Sequence, residues 1–210
     1  MNRRKSAIAG SVLLAVAVGL GVAVRSHPAP WPIDRWWAEQ MMRMRGPGFT
    51  FLAREIFNRV GRFPWSWAIV AIGAVVLWRS ARRVAMSVLL VGEIVSSATN
   101  SLIKFLVDRP RPPGGLITPP ASSYPSGHAA FAAVTAVLFV VLFTRPSRRA
   151  GWVVLACAGA IGMAWSRTYL MVHWLTDVVG GLAVGAGVAF LTIAVGWDAR
   201  RSSLRSDGAG

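Results

Sequence analysis

Six apolar runs, separated by segments that hold most of the charged residues, set the pattern of hydrophobic and polar positions along this chain. They cover Ala7–Val24, Phe63–Trp78, Val84–Val107, His128–Thr144, Gly151–Thr168 and Leu175–Trp197. As a helix, a run of roughly 18 residues rises about 27 Å, which is close to the hydrocarbon thickness of a bilayer. Hydrophobic residues make up 54% of the sequence, which is typical of a membrane protein. The pattern predicts one all-α domain, a polytopic membrane bundle of six transmembrane helices spanning residues 1–210.

The first run follows the basic start Asn2-Arg3-Arg4-Lys5, as the apolar part of a signal peptide would. The residues after the run, Arg25-Ser26-His27-Pro28, lack the small side chains of a cleavage site. We therefore expect this run to stay in place as the first span.

Residues 25–62, between the first two runs, mix seven arginines with many aromatic and aliphatic side chains. This mixture predicts an interfacial segment of amphipathic helices in the headgroup layer of the first outer loop. An ordered loop that caps the bundle is an alternative that the pattern leaves open. Beyond the last run, residues 198–210 are expected to form a short disordered cytoplasmic tail.

Basic clusters alternate with the runs, at residues 3–5, 79–83, 145–149 and 200–205. With six spans, all four clusters lie on one side, which the positive-inside rule makes the cytoplasm. Both termini are then cytoplasmic, and the site loops face the extracytoplasmic side of a bacterial-type cell membrane. The net charge of +15 fits this plan. No basic helix is predicted outside the apolar runs, which argues against nucleic-acid binding.

Three features within the runs have mainly structural interpretations. The single cysteine, Cys157, excludes an intrachain disulfide and a cysteine-based metal site. Glu93 is expected to face the bundle interior, hydrogen-bonded through neighbouring serines or another helix. Gly181 and Gly185 have the spacing of a dimer face, but close packing inside the bundle is the favoured interpretation.

Three polar clusters at the ends of these runs have the chemistry that phosphate-ester cleavage needs. His173 and Asp177 are four residues apart, so on a helix the carboxylate can fix the imidazole tautomer and leave the other nitrogen to attack. Ser126-Gly127-His128 opens the fourth run, where helix N–H groups bind anions. Lys104, Arg111 and Arg167 supply cations. Taken singly, each of these residues could have a purely structural role: the serine as a helix N-cap, and the basic residues as membrane anchors.

Together the clusters form the pattern Lys-x6-Arg-Pro, Pro-Ser-Gly-His and Ser-Arg-x5-His-x3-Asp, over residues 104–177. This pattern resembles the signature of the type-2 phosphatidic acid phosphatase superfamily, in its membrane-bound lipid phosphatase branch. The resemblance implies that His173 is the nucleophile, Asp177 orients it, and His128 is the general acid and base. It also implies five phosphate-binding residues, Lys104, Arg111, Ser126, Gly127 and Arg167. Arg109 and Ser166 are further candidates for substrate contact, and neither metal nor cofactor is expected.

The predicted function is a metal-independent lipid phosphatase that releases inorganic phosphate from a membrane lipid through a phosphohistidine. A polyprenyl diphosphate such as undecaprenyl diphosphate, the carrier of cell-wall synthesis, is the favoured substrate by family analogy. Phosphatidic acid and phosphatidylglycerophosphate are alternatives, as is transfer of the phosphate to an acceptor. A haloperoxidase is disfavoured by the spans, and a non-catalytic carrier by the complete catalytic set. The oligomeric state is not predicted.

Overall fold

The computed structural model describes residues 2–120 and 122–206, with side chains as far as Gly196. This part of the chain is helical and contains no strand, which confirms the all-α class. Its α-helices are α1 (Arg3–Ser26), α2 (Pro32–Arg43), α3 (Pro47–Phe51), α4 (Asn58–Val60), α5 (Trp65–Arg79), α6 (Arg83–Val107), α7 (Gly127–Phe143), α8 (Arg149–Tyr169) and α9 (Leu175–Ser206). A π-helical segment, Leu52–Phe57, joins α3 to α4, and a short 3-10 turn, Pro146–Arg148, precedes α8.

Four helices are long and apolar enough to cross a membrane: Arg3–Ser26, Arg83–Val107, Pro146–Tyr169 and Leu175–Gly196. A fifth span is obtained if Pro47–Val60 and Trp65–Arg79, which meet at 51°, are counted as one bent unit. Helix α7 is apolar but has only 17 residues, short of the length of the other spans. By length and composition, therefore, the described chain has four or five candidate spans.

The last helix differs from the sequence expectation. It continues to Ser206, so residues 198–206 are helical, whereas a disordered tail was expected from residue 198 onward. No Gly or Pro interrupts the sequence between Asp198 and Ser206, so nothing in it stops the helix. Residues 207–210 of the predicted tail lie outside the described residues.

Helix α9 is the centre of the bundle and packs against α1, α6, α7 and α8. Its contact with α7 depends on two glycines. A Cβ at Gly181 would stand 2.3 Å from the Ser126 carbonyl oxygen, and one at Gly185 would stand 2.1 Å from the Ala130 carbonyl oxygen. The small residues therefore face a neighbouring helix of the same chain, as the packing interpretation expected.

The long helices alternate in direction along the chain. Residues near 10 on α1 pack against residues near 187 on α9, while Tyr124 lies between Gly21 and Gly180 at the other end. The basic clusters at 3–5, 79–83 and 145–149 thus share one end of the bundle. The three motif segments share the opposite end, called the site end below.

Residues 27–62 form an arm that folds over the site end. Met41 and Ala53 are buried against Tyr169 and Leu170 at the end of α8. This is the capping arrangement that the sequence left as an alternative. Several large side chains of the arm remain exposed, among them Trp36, Phe49 and Phe51.

Candidate active site

The three motif segments meet at the site end. The C-terminus of α6 brings Lys104, and the loop after it brings Arg111. The N-terminus of α7 brings Gly127 and His128, while the end of α8 and the turn after it bring Arg167 and His173. The structure therefore gathers into one region side chains that are up to about seventy residues apart in the sequence.

His173 lies in the turn between α8 and α9 and is 5% exposed. Its Nε2 atom stands 3.4 Å from a terminal nitrogen of the Arg111 guanidinium. Burial lowers the pKa of the His173 imidazole to about 4, although the neighbouring Asp177 carboxylate acts in the opposite direction. The ring is thus neutral at physiological pH, the state that a nitrogen nucleophile requires.

Asp177 is fully buried at the third position of α9. One carboxylate oxygen accepts a hydrogen bond from Arg109 at 2.7 Å, and the other accepts from the Trp174 amide at 2.8 Å and from the Ser123 hydroxyl. The bond to the Trp174 amide caps the helix N-terminus, as acidic side chains at this position commonly do. The Nδ1 atom of His173 is 3.7 Å from the carboxylate, beyond hydrogen-bond length. Asp177 is therefore beside the imidazole, and it is held there by other donors.

Two cations next to His173 share a backbone acceptor. The Lys104 ammonium donates to the Ser122 carbonyl oxygen at 2.6 Å, and Arg111 donates to the same oxygen at 3.1 Å. Arg111 also donates to the carbonyl oxygens of Pro120 and Val172. Burial lowers the pKa of the Arg111 guanidinium, and Asp177 opposes that shift. Both cations thus lie where they can contact a phosphate that approaches His173.

His128 and Arg167 are linked through Asn58, on the arm. The Nε2 atom of His128 is 3.3 Å from the Asn58 carbonyl oxygen, which can only accept, so this nitrogen carries the proton. Arg167 donates to the Asn58 side-chain oxygen at 2.8 Å, and its Nε atom has no hydrogen-bond partner among the described residues. A Cβ at Gly61 would stand 2.2 Å from the His128 ring, so the arm lies directly against this histidine.

Ser126 and Gly127 form the N-terminus of α7. The Ser126 hydroxyl accepts from the Ala129 amide at 3.5 Å, as an N-cap, and the Ser126 amide donates to the Asp177 carbonyl oxygen at 3.0 Å. Ser126 is buried, whereas Gly127 is exposed. The backbone of Gly127 is thus the more accessible of the two expected phosphate ligands, and first-turn amides have no acceptor within their own helix.

Ser166 and Arg109, two residues expected to contact the substrate, are bonded to groups of the protein instead. The Ser166 hydroxyl is buried and donates to the Met163 carbonyl oxygen at 2.7 Å. Arg109 has no exposed side-chain surface, and its terminal nitrogens lie 2.7 Å from oxygens of Asp34 and Asp177. The geometry does not support the expectation that these residues touch substrate. The Ser166 hydroxyl and the two terminal nitrogens of Arg109 are occupied by protein acceptors.

Asp34 and Asn58 are site components that sequence reasoning missed. Asp34, on α2, accepts from Arg109 and from the Thr176 amide at 2.9 Å, so it ties the arm to the start of α9. Both residues belong to the arm, and their partners at the site lie 70 or more positions away in the chain. The one local signal was the acidic residue two positions after Pro32, typical of a helix start.

Over the described residues, no group of three His, Cys, Asp or Glu side chains is arranged to hold a metal ion.

Comparison with known proteins gives consistent matches. The model of the PAP2 superfamily matches residues 84–201. The decaprenylphosphoryl-5-phosphoribose phosphatase of Mycobacterium tuberculosis is 34% identical over 165 residues, which cover 76% of this chain and 87% of that protein. The undecaprenyl-diphosphatase of Sulfolobus acidocaldarius is 28% identical over 127 residues, which cover 57% of this chain and 58% of that protein.

Two solved structures share the fold. The PAP2-type phosphatidylglycerolphosphate phosphatase from Bacillus subtilis aligns with a TM-score of 0.73 at 23% identity, over 91% of this chain and 96% of its own. LpxE from Aquifex aeolicus aligns with a TM-score of 0.64 at 18% identity, over 78% of this chain and 96% of its own. At these identities the likeness concerns the fold alone.

Proposed function

The chain belongs to the PAP2 superfamily, and from this premise we propose that it is a membrane phosphatase acting on a polyprenyl-linked phosphate through a phosphohistidine intermediate. The observation that carries the proposal is the position of His173. Its Nε2 atom lies 3.4 Å from Arg111, while Lys104 and Arg111 converge on one carbonyl oxygen beside it. A neutral nucleophile with cations on the same side is the arrangement that attack on a phosphate requires.

In the first step, Nε2 of His173 attacks phosphorus and the bond from phosphorus to the leaving oxygen breaks. Lys104, Arg111, Arg167 and the Gly127 amide bind the phosphoryl oxygens as charge develops on them. His128, with both ring nitrogens protonated, gives its Nε2 proton to the leaving oxygen in place of the Asn58 carbonyl and becomes a neutral imidazole.

In the second step, His128 takes a proton from water, and the hydroxide attacks phosphorus. The phosphorus–nitrogen bond breaks, inorganic phosphate leaves, and both histidines return to their starting states. The positive charge comes from side chains, so the proposed mechanism contains no metal ion. Asp177, 3.7 Å from Nδ1, stabilises the positive charge that develops on the ring during attack.

Two substrates fit the names of the curated relatives: a polyprenyl diphosphate and a polyprenylphosphoryl pentose phosphate. Both are prenyl lipids with a terminal phosphate. A pocket of about 280 Å³ in the arm is lined by Arg54, Arg59 and Arg62 next to Asn58, and by Glu55, which pairs with Arg54 and Arg59. Its positive charge, three arginines against one glutamate, supports attraction of such anions to the site. Phosphatidic acid and phosphatidylglycerophosphate carry the same terminal group and belong in any test of specificity.

We further propose that six helices cross the membrane: α1, α5, α6, α7, α8 and α9. Helices α5 and α7 are the shorter ones, at 15 and 17 residues. The alternation of direction and the basic clusters at one end support this plan. The site end then faces the extracytoplasmic side, and the termini lie in the cytoplasm.

The test is phosphate release by the purified protein in detergent with EDTA, using a panel of prenyl and glycerol lipid phosphates and no added acceptor. We expect turnover of the prenyl substrates, loss of at least about a thousandfold in His173→Ala, and a ³²P-labelled enzyme that is stable to base and labile to acid. Strict dependence on divalent metal, or release only when an acceptor alcohol is added, would contradict the proposal.

A further inference from the structure

A polar cavity of about 280 Å³ lies between α5, α6 and α7, in the half of the bundle nearer the site end. Its polar lining consists of Ser66, Glu93, Ser96, Ser97, Asn100 and Ser101. Phe63 and Trp67 stand at its edge. The mechanism above uses none of these side chains, although they lie in the apolar part of the bundle where polar groups are costly.

Four of the polar lining residues are buried: Ser66, Glu93, Ser96 and Asn100. Glu93 is 4% exposed and accepts one hydrogen bond, from Thr135 at 2.7 Å. Asn100 is 5% exposed, and its side-chain nitrogen has no hydrogen-bond partner among the described residues. A buried amide without a partner destabilises a fold, so these groups indicate a polar ligand.

The cavity lies next to the proposed general acid. Its lining includes Gly61, which lies against the His128 ring, and Gly127, which precedes His128. In an in-line displacement, the leaving group departs on the side opposite the nucleophile and takes its proton from the general acid. With His173 as the nucleophile, the group on His128's side is the one that leaves. The cavity is thus placed to hold the part of the substrate that is released from the phosphate.

The cavity also reaches the outside of the bundle. Ser97 and Ser101 on α6 are exposed, as are Phe63 and Trp67 at the start of α5. An opening between α5 and α6 lets a lipid tail remain in the bilayer while its polar head enters from the side. The head would then extend from the opening to His128.

The chemistry of the lining distinguishes between leaving groups. Lys, Arg and His are absent from the described lining, and Glu93 is a carboxylate. A diphosphate would place its second, charged phosphate directly next to the phosphorus under attack, among hydroxyls and a carboxylate, without a cation. In a lipid-linked sugar phosphate the sugar occupies that position, and the charged diester that joins it to the lipid lies one sugar farther away, toward the exposed end of the cavity. Hydroxyl, amide and carboxylate groups instead match the donors and acceptors of a sugar.

We propose that this cavity binds a hydroxyl-rich leaving group, so that the preferred substrate of the site is a lipid-linked sugar phosphate and not a lipid diphosphate. The inference rests on the proposed function, since it takes the displacement at His173 as given. The bond that breaks joins phosphorus to a sugar oxygen, and the proton of His128 converts that oxygen to a hydroxyl. Asn100 and the serines contact the sugar and set specificity.

The experiment compares three substrates with one short prenyl tail: prenylphosphoryl pentose 5-phosphate, prenyl diphosphate and prenyl monophosphate. The variants are Asn100→Leu and the double variant Ser97→Val, Ser101→Val. Ser87→Val is the matched control, because Ser87 lies on the same helix, is exposed and is outside the cavity. The readout is kcat/KM for phosphate release.

We expect the wild-type protein to favour the sugar phosphate, and each cavity variant to lower kcat/KM for it by about tenfold or more while changing the hydroxyl-free substrates by less than about twofold. The double variant keeps the test informative if Asn100→Leu does not fold, since both its positions are exposed. The inference is overturned if the wild type shows no preference for the sugar phosphate, or if the variants lower all three values equally. Absence of release from every lipid phosphate would instead refute the proposed function itself.

Discussion

At the scale of single residues, the environment of His173 matters more than its place in a motif. The four-residue spacing predicted that Asp177 would share a helical face with His173 and hydrogen-bond its ring, but His173 lies in the turn before α9, and its Nδ1 atom is 3.7 Å from the carboxylate. Spacing did not predict that the ring would be 5% exposed, nor that the carboxylate would be held by Arg109, Ser123 and Trp174. Burial depends on how the whole bundle closes over this turn, which local sequence does not encode.

We expect NMR of the detergent-solubilised protein, labelled with ¹⁵N-histidine, to give His173 a pKa of about 4. Burial favours the uncharged ring, so the proton binds only as the pH falls through that value. Because the unfolded chain takes up this proton near 6.5, the folded state should lose stability as pH falls from about 6.5 to about 4. The chain has three histidines, so His27→Gln and His128→Gln complete the assignment. A His173 pKa near 6.5 would show that the ring is not buried.

Asp34 illustrates what residue patterns do not show. It is one of three acidic residues in an arginine-rich segment, together with Glu39 and Glu55, and its sequence context suggests only a helix start. In the structure it joins Arg109 and Thr176, on two other segments, and all three are buried. Such a partnership depends on the tertiary fold, and its partners are 75 and 142 residues away.

Asp34→Asn should lower the free energy of unfolding by about 3 kcal/mol or more, because it removes one carboxylate from a buried ion pair. Equilibrium unfolding in mixed detergent measures the change. Glu39→Gln is the control: Glu39 lies on the same helix but is exposed, so its effect should stay within about 0.5 kcal/mol. Equal effects of the two substitutions would argue against the buried pair as the source of stability.

At the scale of elements, the apolar runs predicted the long helices, because the length and hydropathy of a run are enough to identify a long apolar helix. The runs at 84–107, 128–144 and 151–168 correspond to α6, α7 and α8 with ends shifted by no more than two residues. The arm was less predictable. Its π-helical segment, Leu52–Phe57, has no distinct sequence signal, and its apolar side chains suit either lipid or protein contact.

The close contact of α7 with α9 gives a prediction at this scale. Gly185→Ala should destabilise the protein by roughly 1–3 kcal/mol, since its methyl group would meet a backbone oxygen that cannot rotate away. Gly159→Ala on α8 is the matched control, because no atom lies within 4 Å of its Cβ position. Thermal unfolding in detergent compares the two. A loss of dimer without a loss of stability in Gly185→Ala would instead favour the dimer-face interpretation.

At the scale of the whole molecule, the sequence predicted that three distant segments would meet, and they do so at one end of the bundle. That prediction succeeded because the pattern of residues 104–177 is specific and the helices that carry it alternate in direction. The contribution of residues 27–62 to the same site was not predictable, since no motif marks Asn58 or Gly61. Their effect arises only when the arm folds over His128.

Labelling from outside intact cells tests the orientation. After Cys157→Ala, a cysteine introduced by Thr118→Cys, an exposed position at the site end, should react with a membrane-impermeant maleimide. A cysteine introduced by Ser147→Cys, exposed at the opposite end, should react only after the cells are opened. The reverse result would place the site end in the cytoplasm.

The distribution of carboxylates at the site end has a consequence for turnover. Arg109 takes two of them, Asp34 and Asp177, whereas Lys104 donates to the Ser122 carbonyl oxygen and Arg167 donates to the Asn58 side-chain oxygen, both uncharged. Among the described residues no carboxylate forms an ion pair with Lys104 or Arg167, so their positive charge can bind an incoming anion, and released orthophosphate can bind there as the ester does. Product inhibition by free phosphate should accordingly be competitive and should weaken as ionic strength rises.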